Sequence, residues 1–158
     1  MQENNTFAMR HSEKASTRWT YSPSCVYNLS YHIIWCPKYR KKVLVGEVAE
    51  KLKAFIEDRS RDNGWTVRSL EVMPDHVHVF LSAKPSNSIA QILSVLKGGS
   101  AKILRDAFPH LKRLLPSLWT RSYYVESIGH VSAKTIERYI ADQKTRPSST
   151  GRRHSTHG

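Results

Sequence analysis

Met73-Pro74-Asp75-His76-Val77-His78-Val79-Phe80-Leu81 is the stretch whose reading decides the fold. A Pro-Asp turn signal opens a run that alternates with aliphatic residues, the period of a half-buried β-strand. Residues i and i+2 of a strand share a face. His76, His78 and Phe80 therefore point one way, and Val77, Val79 and Leu81 point into a core. Two imidazoles at adjacent positions of one face can bind a single divalent metal ion.

Working outward, Trp65 to Met73 reads as a strand that the Pro74-Asp75 turn folds back onto the histidine strand, forming a hairpin. Before it, Val48, Leu52, Phe55 and Ile56 recur at helical spacing over Gly46 to Asn63, and Asn63-Gly64 stops the helix. Earlier still, Cys25 to Tyr39 is rich in β-branched and aromatic residues and reads as the first strand. Its Tyr27, Leu29, Tyr31 and Ile33 share one face; Asn28, Ser30, His32 and Ile34 share the other. A polar face opposite an apolar one suits a sheet with one side open to ligand.

Downstream, Ser86, Asn87 or Ser88 caps a second helix with Ile89, Ile92, Leu93 and Leu96 inside. Gly98-Gly99 interrupts it, either as a kink or because missing side chains admit a close backbone. Leu111 to Leu118 is a connection broken by Pro109 and Pro116, Trp119 to Ile128 a further strand, and Ala133 to about Lys144 a last helix. The order is β-α-β-β-α-β-α. The expected fold is α+β: a ferredoxin-like, RRM-like antiparallel sheet with helices on one face and an extra C-terminal helix.

The 158 residues suit one domain, read as a flexible leader over 1–20, the domain over 21–145 and a basic disordered tail over 146–158. A formal charge of +12 calls for a polyanionic partner, most simply nucleic acid. No apolar run is long enough to span a bilayer and no signal core precedes Arg18, so neither membrane insertion nor export is expected, and the location is read as cytoplasmic. Cys25 and Cys36 stand near the two ends of one strand, too far apart to bridge. The basic loop Lys38-Tyr39-Arg40-Lys41 reads either as a solvated turn or as a phosphate contact with a stacking aromatic. Lys97, Lys102 and Arg105 around the glycine pair are further candidate DNA contacts.

In the last helix, Tyr139 and Gln143 are i and i+4 and share a face. Tyrosine can attack phosphorus and hold the product as a phosphotyrosine. Glutamine offers a carbonyl oxygen as a third ligand for Mg²⁺ or Mn²⁺ beside His76 and His78. Such a metal would polarise a phosphate oxygen.

At this point the chain resembles the single-tyrosine HUH transposases of bacterial and archaeal insertion sequences, the TnpA-like enzymes. The resemblance runs from Val26 to Lys144. It rests on Tyr31-His32-Ile33-Ile34-Trp35-Cys36-Pro37-Lys38-Tyr39-Arg40, on Glu71 to His78, on Leu96-Lys97-Gly98-Gly99-Ser100-Ala101-Lys102, and on Tyr139-Ile140-Ala141-Asp142-Gln143. The histidine pair matches the family's HUH motif and the last block its Tyr-x-x-x-Gln helix. The resemblance implies cleavage and rejoining of single-stranded DNA at insertion-sequence ends bearing imperfect hairpins, through a 5′-phosphotyrosine and a free 3′-hydroxyl. It implies a homodimer and no nucleotide cofactor. Two other readings stand beside it: a domesticated relative acting on repeated palindromes, and a non-catalytic RRM-like nucleic-acid module.

Overall fold

The structure, a computed structural model, describes residues 19–128. Its centre is a four-stranded sheet of β3 (Ser30–Trp35), β4 (Thr66–Met73), β5 (His76–Ser82) and β6 (Tyr124–Ile128), in the order β4-β5-β3-β6. Every neighbouring pair is antiparallel. This is the ferredoxin-like arrangement that the element order predicts. The first long strand, β3, lies inside the sheet rather than at an edge. The expected C-terminal helix, and with it Tyr139 and Gln143, lies outside the described residues, as do both cysteine-free ends of the chain.

Strand alternation sets the two faces. Ile33, Trp35, Val77, Val79 and Leu81 are buried at 1% exposure or less, against the helices. Burying each such side chain is worth about 1.5–3 kcal/mol. Helix α1 (Gly46–Asp62) covers this face with Val48, Leu52, Phe55 and Ile56, as its spacing predicts. It ends where Gly64 takes a left-handed φ of +71°, and Trp65 N–H donates back to the Ser60 carbonyl at 2.8 Å. In the β4–β5 hairpin Met73 pairs with His76, leaving Pro74-Asp75 as the turn.

Of the three capping candidates, Ser88 starts helix α2 (Ile89–Leu93): its hydroxyl accepts from Gln91 N–H, and Gln91 Oε1 accepts from Ser88 N–H. Asn87 instead accepts from Trp65 Nε1 at 2.9 Å. A π-helical turn (Ser94–Gly98) leads directly into α3 (Gly99–Ala107), so the glycines do not break the helical run. At Gly99 an added Cβ would meet the Phe55 ring tip at 2.7 Å; at Gly98 it would meet nothing within 4 Å. The close neighbour at Gly99 is thus a core ring of α1, a side chain and not the backbone that was expected.

Three expectations are corrected. The first strand starts at Ser30, not Cys25: Val26–Tyr27 (β2) pairs with Thr20–Tyr21 (β1) in a separate small hairpin, so Thr20 belongs to a strand and not to a leader. Pro109 opens a helix, α4 (Pro109–Leu114), because proline at the first helical position lacks only an N–H that would be unpaired there anyway. The last strand starts at Tyr124; Trp119 and Thr120 are instead tied to the residues just after β3, Pro37 bridging to Trp119 and Thr120 N–H donating to the Cys36 carbonyl at 3.0 Å. Cys25 and Cys36 are both free thiols. No described helix is long and apolar enough to cross a membrane.

Candidate active site

His76 opens β5 directly after the turn, and His78 follows on the same face. Their ring centroids lie 4.8 Å apart at 69°. The aliphatic partners Val77, Val79 and Leu81, each fully buried, lock the strand against rotation, so the histidines cannot leave their face together without emptying the core. Beyond them Phe80 is 2% exposed and packs with Ile128.

A third histidine joins them from β3. Ile34 pairs with His78 and His32 with Phe80, which sets His32 diagonally beside His78. His32 Nε2 and His78 Nδ1 share a hydrogen bond of 3.0 Å, with the rings stacked at 5.3 Å. Burial pushes the His78 pKa down to about 4, reinforced by the neighbouring His76 and His32. Burial also lowers that of His32, opposed by the Glu126 carboxylate on β6. Both imidazoles are thus neutral at physiological pH, the form that ligates metal. The sequence places His32 on the polar face of its strand. Singling it out needs the strand register, which one sequence does not carry.

His76 has its own support. Its Nδ1 lies 2.6 Å from Asp75 Oδ1, and Arg40 Nη2 donates to Asp75 Oδ2 at 3.1 Å. Burial alone would raise the Asp75 pKa, but the His76 hydrogen bond and the Arg40 charge together bring it below the usual carboxylate range. The loop bearing Arg40 is strained: Tyr39 and Arg40 take left-handed φ values of 61° and 49° with no glycine at either position. Such residues cost about 1 kcal/mol or more each and persist where their surroundings hold them. Here Lys38 N–H donates to the Leu118 carbonyl and Arg40 N–H to that of Pro37, while the Arg40 side chain holds Asp75.

With both Nδ1 atoms engaged by Asp75 and His32, Nε2 of each ring is left to face a ligand, the second-layer support that metal-binding histidines ordinarily have. Two imidazoles by themselves suit borderline ions such as Zn²⁺ or Fe²⁺; Mg²⁺ or Mn²⁺ would need oxygen ligands added to the pair. Among the described residues no three His, Cys, Asp or Glu side chains gather around one ion position.

The candidate DNA contacts separate. Lys38, Lys97 and Arg105 line one open groove of about 680 Å³, together with Arg121 and Tyr123. Arg40 is turned to Asp75. Tyr39 is 70% exposed beside Lys38, whose Nζ lies 5.6 Å from its ring centroid. Lys41 is exposed, and Lys102 is a solvated partner of Asp106 on α3; neither lines the groove. Arg121 and Tyr123 are members that sequence reading missed.

The family model described as "Transposase IS200 like" matches residues 25–143. The chain belongs to the IS200-like transposase family. It is 46% identical over 120 residues to the ISDra2 transposase TnpA of Deinococcus radiodurans, covering 75% of this transposase and 86% of that one. To the transposase for insertion sequence element IS200 of Salmonella typhimurium it is 31% identical over 131 residues, 82% and 80% of the two chains. A crystal structure of a Deinococcus radiodurans R1 chain superposes with a TM-score of 0.65 at 42% identity, over 78% of this transposase and 97% of that chain. A REP-associated tyrosine transposase bound to a REP hairpin shares the fold at a TM-score of 0.54 and 15% identity, over 77% and 67%. Membership makes this a DNA-processing enzyme.

Proposed function

We propose that this transposase cuts and rejoins single-stranded DNA at hairpin-bearing element ends, using Tyr139 as nucleophile. The observation that carries the reading is the supported imidazole pair, His76 on Asp75 and His78 on His32, in a chain of this family. His76, His78 and Gln143 would hold a divalent metal, Mg²⁺ or Mn²⁺, which when bound supplies Lewis-acid polarisation of the scissile phosphate. Tyr139 loses its phenolic proton and attacks phosphorus. A bond from phosphorus to the tyrosine oxygen forms, and the bond to the 3′-oxygen breaks. That oxygen takes a proton and leaves as a free 3′-hydroxyl, with the 5′-phosphate on the tyrosine. A 3′-hydroxyl attacking that phosphotyrosine reverses the step and rejoins strands, so no water or nucleotide cofactor is consumed.

Hairpin recognition is supported by the REP-bound neighbour of the same fold. A homodimer joined through its sheets is supported by β6, an edge strand with Tyr124 and Val125 exposed. The RRM-like binding reading loses Phe80, which is buried, but keeps Tyr124, which is exposed on the same face of the sheet; it leaves the supported histidine pair without a role. A domesticated relative would use the same chemistry, and flanking hairpins at both ends of the gene would distinguish the mobile element.

The test incubates the full chain with oligonucleotides carrying the element's end hairpins and Mg²⁺ or Mn²⁺, resolved on a denaturing gel. A metal-dependent protein–DNA adduct that vanishes in Tyr139→Phe is expected. An adduct that survives Tyr139→Phe refutes the nucleophile, and hairpin binding without an adduct in either metal refutes the chemistry.

A further inference from the structure

Among the described residues, the lining of the groove that gathers Lys38, Lys97, Arg105 and Arg121 has no acidic side chain. It lies between the helical run at Lys97 to Arg105 and the 116–123 segment, and it adjoins the histidine site through the backbone. Lys38 N–H donates to the Leu118 carbonyl at 2.8 Å, and Thr120 N–H donates to the carbonyl of Cys36. Cys36 directly follows Trp35, which pairs with Val77 between the two histidines. At the groove's other border, Tyr123 precedes Tyr124, whose ring lies 6.1 Å from that of His32.

Its cations are held in place rather than free to wander. Lys97 Nζ donates to the carbonyls of Arg121 and Ser122, both at 3.2 Å, and lies 5.8 Å from the Tyr123 ring centroid. Arg105 Nη1 donates to the Pro116 carbonyl at 3.0 Å. A lysine has three donors and an arginine five, so each keeps donors beyond these contacts. Tyr123 remains 48% exposed. The wall between them is Gly98, where an added Cβ would meet nothing, in contrast to Gly99. Gly98 has helical φ of −64°, so neither backbone strain nor packing requires glycine there. Its bare surface keeps the groove open.

We propose that this groove is a subsite for an unpaired strand of DNA continuing from the reacting phosphate, with backbone phosphates on Lys38, Arg105 and Arg121 and one base stacked on Tyr123. An aromatic beside a recessed line of cations fits a single strand, whose bases are available for stacking, better than a duplex. The proposal rests on the transposase reading above and names where its substrate strand runs.

The experiment is fluorescence anisotropy of a labelled oligodeoxythymidine with the full chain in chelator, across a salt series. Gly98→Leu, which fills the groove, and Arg121→Ala should each weaken binding about tenfold. Arg121→Ala should also reduce the slope of log affinity against log salt by about 0.7, the value for one phosphate on a single strand. Lys51→Ala removes the same charge from an exposed position of α1 and should leave both quantities as in the wild type. Thermal melting by circular dichroism reports whether Gly98→Leu is folded, and Arg121→Ala tests the groove independently. Equal effects of Arg121→Ala and Lys51→Ala would mean diffuse charge attraction and overturn the proposal. So would a duplex of the same length that competes as well as the single strand, or an oligouridine that binds more tightly than the DNA. Hairpin adducts formed by wild type alongside unaltered strand binding in the groove variants refute the groove and leave the chemistry. Groove-dependent strand binding without any adduct does the reverse.

Discussion

His32 on β3 and His78 on β5 share a hydrogen bond of 3.0 Å across the sheet, with their rings stacked. If His78 presents Nε2 to a metal, its Nδ1 carries the hydrogen and donates to His32 Nε2. His32 then fixes both the tautomer and the ring angle of a ligand it never replaces. Removing such a partner typically costs 10–100-fold in metal affinity. His32→Ala should therefore weaken Mn²⁺ binding by that factor in isothermal titration of the full chain, while His32→Gln, which keeps an acceptor, should recover part of it. Wild-type affinity in His32→Ala would remove His32 from the site.

The same burial makes the metal-free protein sensitive to acid. The His78 pKa falls from 6.5 in the unfolded chain to about 4 in the fold. Between these values the unfolded state binds more protons, so stability is full above about pH 6.5 and declines as pH falls toward 4. The difference corresponds to about 3 kcal/mol for His78, and the lowered pKa of His32 acts in the same direction. Urea unfolding of the full chain in chelator, between pH 7.5 and 4, should show this loss, and His78→Gln should flatten it. An unchanged pH slope in His78→Gln would show that His78 charges without hindrance in the fold.

The sheet order and the histidine pair were legible because strand alternation is a local property: Val77, Val79 and Leu81 dictate where His76 and His78 point. The support of that pair was not. His32 and Arg40 reach the motif only through the β3–β5 register and through a left-handed turn at Tyr39 and Arg40, which a sequence without glycine there gives no reason to expect. Val26 and Tyr27 misled for the opposite reason. Their β-propensity was real but was spent in a small hairpin with Thr20 and Tyr21. Local composition reports that a residue is extended, and not which strand it pairs with.

The Arg40–Asp75–His76 chain makes a prediction about order of importance. Asp75 contacts His76 directly at 2.6 Å, whereas Arg40 acts through Asp75 from a side chain that is 64% exposed. Exposed ion pairs contribute about 0–1 kcal/mol. Asp75→Ala should thus weaken Mn²⁺ affinity 10–100-fold and Arg40→Ala by only a few-fold. Asp75→Asn, which retains an oxygen to accept from His76 Nδ1, should fall between. An Arg40→Ala effect as large as that of Asp75→Ala would mean that the strained 38–41 loop, rather than the carboxylate, positions His76.

The two adjacent glycines should respond in opposite directions. Both have helical backbone, so alanine is conformationally acceptable at each and gains up to about 1 kcal/mol of helix propensity. At Gly98 nothing opposes that gain, because no atom lies within 4 Å of the new Cβ. At Gly99 the Cβ meets Phe55, whose ring is 9% exposed within the core and has little room to retreat. Overpacking of this kind costs about 1–3 kcal/mol, which exceeds the propensity gain. Gly98→Ala should raise the melting temperature by a few degrees and Gly99→Ala should lower it. The double variant Gly99→Ala with Phe55→Leu should show a smaller penalty than the sum of the two single changes, since the smaller side chain relieves the clash. Strict additivity in that cycle, measured by denaturant unfolding of the full chain, would place the Gly99 requirement somewhere other than the α1 contact.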